Sequence, residues 1–118
     1  MTFPSFTGQH VFVAGGSSGI NLGIAKAFAR AGANVVVMSR SPDKVQQAAA
    51  ELEALGVQAL GISADVRDAA AVEAALQQAH ARFGPINVLI SGAAGNFIAP
   101  AKDLSPNGFK TVVDIDLN

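Results

Sequence analysis

An α/β fold of the Rossmann-like kind, a doubly wound parallel sheet with helices on both faces, is predicted by three features of this 118-residue sequence. Short β-branched runs alternate with longer alanine-rich amphipathic runs, which is the pattern of βαβ units. The strand-like runs are continuously apolar, as strands covered on both faces must be. A glycine cluster sits between the first strand and the first helix, where such folds turn sharply. The implied order βαβαβαβα, with short connections, demands parallel strands and right-handed crossovers.

Each element has a local reason. Val11-Phe12-Val13-Ala14 is the first strand, and Ile20 to Arg30 is a helix that ends near Gly32. Asn34 to Met38 carries Val35-Val36-Val37, a second buried strand. Ser41-Pro42-Asp43 opens the next helix: the serine hydroxyl caps free amides, and proline occupies a position whose amide needs no partner. That helix stops near Gly56, and Val57 to Ile62 forms the third strand. Asp68 caps a helix running to Phe83, ahead of Gly84-Pro85. Ile86 to Ile90 is the fourth strand, followed by a loop from Ser91 to Leu104. Ser105-Pro106 repeats the cap-plus-proline start and predicts a fourth helix running to the last residue.

Composition narrows the function classes. Half of the residues are hydrophobic and 14% are charged, which excludes intrinsic disorder. A net charge of −1 provides no basic footprint for nucleic acid or an anionic membrane. Absence of cysteine excludes a disulfide scaffold, thiolate-bound zinc and thiol catalysis. There is no tyrosine, so no tyrosine acid can act from these residues. His10 and His80 lack ligand spacing, and no metal cluster is visible. Met1 to Gly8 lacks the features of a secretory signal, and no apolar run has the length of a membrane span. A cytoplasmic protein with no membrane or nucleic-acid partner is expected.

The glycine cluster Gly15-Gly16-Ser17-Ser18-Gly19, with Ile20 opening the helix, follows the first strand directly. Glycines there let backbone approach a pyrophosphate, and free amides at the helix start attract its charge. About twenty positions further on, an acidic residue would bind the ribose 2′-hydroxyl of NAD. Here Ser39 is neutral and Arg40 follows, with Ser41 next. A guanidinium grips a 2′-phosphate where a carboxylate would repel it, so NADP(H) is the expected cofactor.

The spacing Gly15-x-x-x-Gly19-Ile20 resembles the T-G-x-x-x-G-x-G fingerprint of the short-chain dehydrogenase/reductase superfamily, and the likeness extends over almost the whole chain from Gly8. Ala14 replaces the usual threonine and Asn21 the last glycine. Asp65-Val66 resembles the pair that holds the adenine in that superfamily. Ser91-Gly92-Ala93-Ala94-Gly95 stands where its N-N-A-G motif occurs, with Ser91 and Gly92 in place of asparagines. Gly92, Ala93 and Ala94 are thereby implied as cofactor contacts.

The stretch from Ala93 to Phe97, then Leu104 to Asn107 and Thr111 to Asp116, resembles the 2,4-dienoyl-CoA reductases of peroxisomal type. This resemblance implies acyl-CoA contacts at Arg67, Phe97, Ser105 and Asn107, and a catalytic aspartate at Asp116. On the expected last helix, Phe109, Val112, Val113 and Asp116 share a face, which makes Asp116 a carboxylate on an apolar stripe. The superfamily's Tyr-x-x-x-Lys motif is not among these residues. Residues 1–118 are therefore expected to be the N-terminal part of a single NADP(H)-binding domain whose catalytic half is absent here. The full-length protein is expected to be a homo-oligomeric oxidoreductase acting on an acyl-CoA or a carbonyl compound, and the chain alone to be inactive. A generic carbonyl or 3-oxoacyl reductase and a non-catalytic dinucleotide-binding module are the alternatives.

Overall fold

The computed structural model describes residues 6–15, 19–65, 67–91 and 111–114. In chain order the described elements are β1 (His10–Ala14), α1 (Gly19–Arg30), β2 (Asn34–Ser39), α2 (Pro42–Glu53), β3 (Ala59–Ser63), α3 (Ala69–Phe83), β4 (Val88–Ser91) and β5 (Thr111–Asp114). The strands form one sheet in the order β3-β2-β1-β4-β5. Every pairing is parallel: Val11 lies opposite Val35 on one side and Val88 on the other. This is the expected doubly wound sheet.

Strand alternation sends side chains to two separate cores. Val11, Val13, Val35, Val37, Ala59, Val88 and Ile90 pack with Ala25 and Ala29 of α1 and Ala48, Ala49 and Leu52 of α2. Phe12, Ala14, Val36, Met38, Ile62 and Leu89 face the opposite way, against Val72, Ala75, Leu76 and Ala79 of α3. Burial on both faces explains why these strands read as unbroken apolar runs. Each fully buried Val or Leu contributes about 1.5–3 kcal/mol.

The helix starts follow their capping residues. Ser41 Oγ accepts the Lys44 amide at 3.3 Å, and Pro42 is the first residue of α2. Asp68 Oδ1 accepts the amides of Ala70 and Ala71 at 3.1 and 3.3 Å. Lys26 of α1 reaches Glu51 of α2 at 3.0 Å and ties the two helices on that face together. Helix α2 lies very close to the sheet at Gly61. A Cβ built there would sit 2.5 Å from the Val45 carbonyl oxygen, so only glycine fits this contact. No helix among the described residues is long and apolar enough to cross a membrane.

One element differs from expectation. The predicted fourth helix is not what residues 111–114 form: Thr111–Asp114 is a parallel strand beside β4, with Thr111 opposite Val88 and Asp114 opposite Ser91. Thr111, Val112 and Val113 are β-branched and favour extended backbone. An apolar run this short reads equally as buried helix or buried strand, and the open edge of β4 supplies the partners that decide it. The helical face proposed for Phe109, Val112, Val113 and Asp116 therefore does not form through 111–114. Asp116, Ser105 and Asn107 lie outside the described residues.

Candidate functional site

The strand order creates the site. From β1 the chain proceeds outward to β2 and β3, then returns to place β4 on the other side of β1. The strand order thus reverses between β1 and β4, and the C-terminal side of such a reversal is where open α/β sheets bind ligands. There β1 runs into Gly15, whose φ of 80° lies in the left-handed region. Glycine takes that conformation without a Cβ clash. Its amide donates to the Met38 carbonyl, closing the turn onto β2. Helix α1 begins at Gly19, so the amides of Gly19, Ile20 and the following residues emerge beside this turn without intrahelical acceptors. Backbone donors at a helix start beside a tight glycine turn suit a pyrophosphate.

The second part of the site lies where β2 and β3 end side by side, with Ser39 opposite Ser63. The Ala64 amide donates to the Ser39 carbonyl at 2.8 Å. Ser63 Oγ donates to the Arg40 carbonyl at 3.2 Å, and the Ser41 amide donates to Ser39 Oγ at 3.4 Å. These bonds hold the Arg40 backbone while its side chain stays exposed. Ser41, expected to contact cofactor, uses its hydroxyl oxygen as the α2 cap and keeps its O–H for donation. No carboxylate occupies the end of β2, so a 2′-phosphate beside Arg40 meets no repulsion from that strand.

Asp65 follows β3 and is held by Arg67. The guanidinium forks onto the carboxylate, Nε to Oδ1 at 3.1 Å and Nη2 to Oδ2 at 3.0 Å. The Arg67 amide adds a third bond to Oδ1 at 2.9 Å. The Arg67 side-chain bonds, then its amide, lower the Asp65 pKa to about 2, with smaller contributions from the charges of Arg67 and Arg40. The same pairing raises the Arg67 pKa. Asp65 is thus a permanent anion close to two cations.

Of the residues expected at the site, the structure brings Gly15, Gly19, Ile20, Arg40, Ser41, Asp65 and Arg67 to this one edge of the sheet. Arg67 was expected on acyl-CoA and is found on Asp65. Ser17, Ser18, Val66, Gly92, Ala93, Ala94 and Phe97 lie outside the described residues, as do Ser105, Asn107 and Asp116. Sequence reasoning missed the braces at Ser39 and Ser63. Their signal is a serine closing each of two neighbouring apolar strands. Among the described residues no group of three His, Asp or Glu side chains is placed to hold a metal.

The opposite edge of the sheet is structural. The His10 amide donates to Asn87 Oδ1 at 2.8 Å, and the Asn87 amide returns a bond to the His10 carbonyl at 2.9 Å. The imidazole stacks on Phe83 at 5.6 Å, with Arg82 over the other ring.

Known proteins match this chain along most of its length. The family model described as short chain dehydrogenase matches residues 9–118. The chain is 52% identical over 106 residues to a peroxisomal 2,4-dienoyl-CoA reductase of Rattus norvegicus, covering 89% of this chain and 36% of that protein. It is 41% identical over 109 residues to the Arabidopsis thaliana protein of the same name, covering 92% of this chain and 37% of that one. Among solved structures, an actinorhodin polyketide ketoreductase with NADPH superposes with a TM-score of 0.70 at 34% identity, covering 73% of this chain and 33% of its own. The chain thus spans little more than a third of the curated relatives it matches.

Proposed function

The chain belongs to the short chain dehydrogenase family, and from that premise we propose that it is the N-terminal part of the nucleotide-binding domain of an NADP(H)-dependent oxidoreductase. Its proposed substrate is a 2,4-dienoyl-CoA or a related acyl-CoA. The observation that carries the cofactor reading is Arg40, exposed at the end of β2 where NAD-binding sheets have a carboxylate. The substrate class is supported by identity to the two dienoyl-CoA reductases across most of the chain.

In this reading the amides at the start of α1, with Ser17 and Ser18, hold the pyrophosphate, and Arg40 with the Ser41 hydroxyl holds the 2′-phosphate. Asp65 and Val66 flank the adenine, while Gly92, Ala93 and Ala94 leave room for the ribose. When bound, the nicotinamide supplies the hydride. Phe97, Ser105, Asn107 and the remaining Nη1 edge of Arg67 contact the acyl-CoA. Asp116 stands two positions beyond Asp114 in the sequence and is the aspartate that the resemblance to dienoyl-CoA reductases singles out. It is the proposed acid that delivers the proton. A second reading, reduction of a ketone, is favoured by the ketoreductase neighbour.

Two measurements on the full-length protein test this. NADPH should bind about ten- to a hundredfold more tightly than NADH, the value of one charge-assisted contact, and Arg40→Ala should remove that difference while sparing NADH. Equal affinities in the unmodified protein refute the cofactor reading. With 2,4-dienoyl-CoA as substrate, Asp116→Ala should slow the chemical step about 10²–10⁴-fold. An unmodified enzyme that reduces ketones and ignores the dienoyl thioester establishes the second reading.

A further inference from the structure

Arg40 and Asp65 leave the ends of neighbouring strands whose last residues are register partners. Two bonds lock the segments together, from Ser63 Oγ to the Arg40 carbonyl and from the Ala64 amide to the Ser39 carbonyl. The cation proposed to hold a 2′-phosphate therefore has a permanent carboxylate as its neighbour. Left alone, that carboxylate acts against NADP(H) in two ways. It repels the phosphate, and it offers Arg40 a rival partner.

Arg67 removes both effects. Its fork occupies Oδ1 and Oδ2 together, and its amide takes a second position on Oδ1. Three bonds fix the direction of the carboxylate, and the guanidinium cancels its charge. The pairing is local, spanning two residues, so it forms without help from distant segments. Lysine cannot reproduce it, because an ammonium is a point charge without the planar fork. Arg67 remains 65% exposed, so its loss disturbs no core.

We infer that Arg67 is a specificity-determining positioning residue, which occupies both oxygens of the Asp65 carboxylate and so leaves Arg40 for the 2′-phosphate. The inference rests on the NADP(H) reading above. NADPH preference is then a property of two arginines with one carboxylate between them, and not of Arg40 alone.

The test is binding of NADPH and of NADH to the full-length protein by calorimetry, without acyl-CoA. Arg67→Ala should lower the NADPH:NADH affinity ratio about fivefold, the effect of uncovering one unit charge in a fully solvated setting, with NADH affinity nearly unchanged. Arg67→Lys should recover only part of the ratio. Adding Asp65→Asn to Arg67→Ala should restore the ratio, because the adenine contact of Asp65 is common to both cofactors and cancels. If the unmodified protein prefers NADPH and Arg40→Ala abolishes the preference, yet Arg67→Ala leaves the ratio intact, the inference is overturned. A rise in acyl-CoA KM alone then assigns Arg67 to the substrate. If the unmodified protein shows no preference, or Arg40→Ala does not change it, the NADP(H) reading itself fails and the inference with it.

Discussion

Replacing Gly61 with alanine is a direct probe of how the helix layer positions the cofactor edge. The added Cβ would lie 2.5 Å from the Val45 carbonyl oxygen and 2.9 Å from its carbon. Ordinary contact needs nearly an ångström more, and the obstacle is backbone, so it cannot rotate away. Either the first turns of α2 lift off the sheet or β3 bows outward. Overpacking of this kind costs about 1–3 kcal/mol, and the upper half of that range applies because no side chain can yield. At about 2–4 °C per kcal/mol for a domain of 150–250 residues, Tm should fall by roughly 4–12 °C. Val45 is the fourth residue of α2, and the Arg40–Ser41 segment precedes that helix directly. The lift should therefore also loosen NADPH more than NADH. Gly23→Ala is the control: a Cβ on that α1 residue meets nothing within 4 Å, and alanine is the better helix former. Its Tm should hold or rise. The assay is thermal unfolding of both variants, with cofactor titrations beside it. A Gly61→Ala protein that melts within a degree of the unmodified one refutes the close α2–β3 contact and the coupling drawn from it.

Two further outcomes follow from the described residues. Burial lowers the His10 pKa from its ordinary 6.5, so on acidification the unfolded chain takes up the proton first. The His10 contribution is complete above pH 6.5, declines as pH falls through the lowered pKa, and is then constant; denaturant titrations between pH 7.5 and 5 should show the decline. His10→Phe keeps a ring on Phe83 and should flatten it, whereas an unchanged pH slope in that variant removes His10 as its cause. Asp68→Ala deletes the acceptor for the Ala70 and Ala71 amides and should cost about 0.5–2 kcal/mol in urea unfolding. Asp68→Ser, which keeps an acceptor, should recover most of that loss, and equal stability of all three proteins excludes the cap as a stabilising feature.

What the sequence determined by itself is the part of this protein governed by near neighbours along the chain. Continuous apolar runs at Val11–Ala14 and Val35–Val37 specify strands covered on both faces, and these strands carry the two cores. Ser41 and Asp68 cap helices because their oxygens reach amides two or three residues on. Gly15 turns because a missing Cβ permits its φ. Tertiary structure decided whatever needs a partner far along the chain. Strand β4 begins at Val88 and not at Ile86: its ladder with β1 opens at Val11–Val88, and Asn87 instead exchanges a side-chain and a backbone bond with His10. Gly61 must be glycine only because α2 is laid upon β3 there. The Asp65–Arg67 fork is short in sequence, yet its effect on Arg40 exists only because β2 and β3 end in register. Thr111–Asp114 shows the difference most plainly. Its apolar spacing suits a helix, and its β-branched residues suit a strand. A helix closes its hydrogen bonds within the segment, whereas a strand must borrow them, and here β4 offers the open edge.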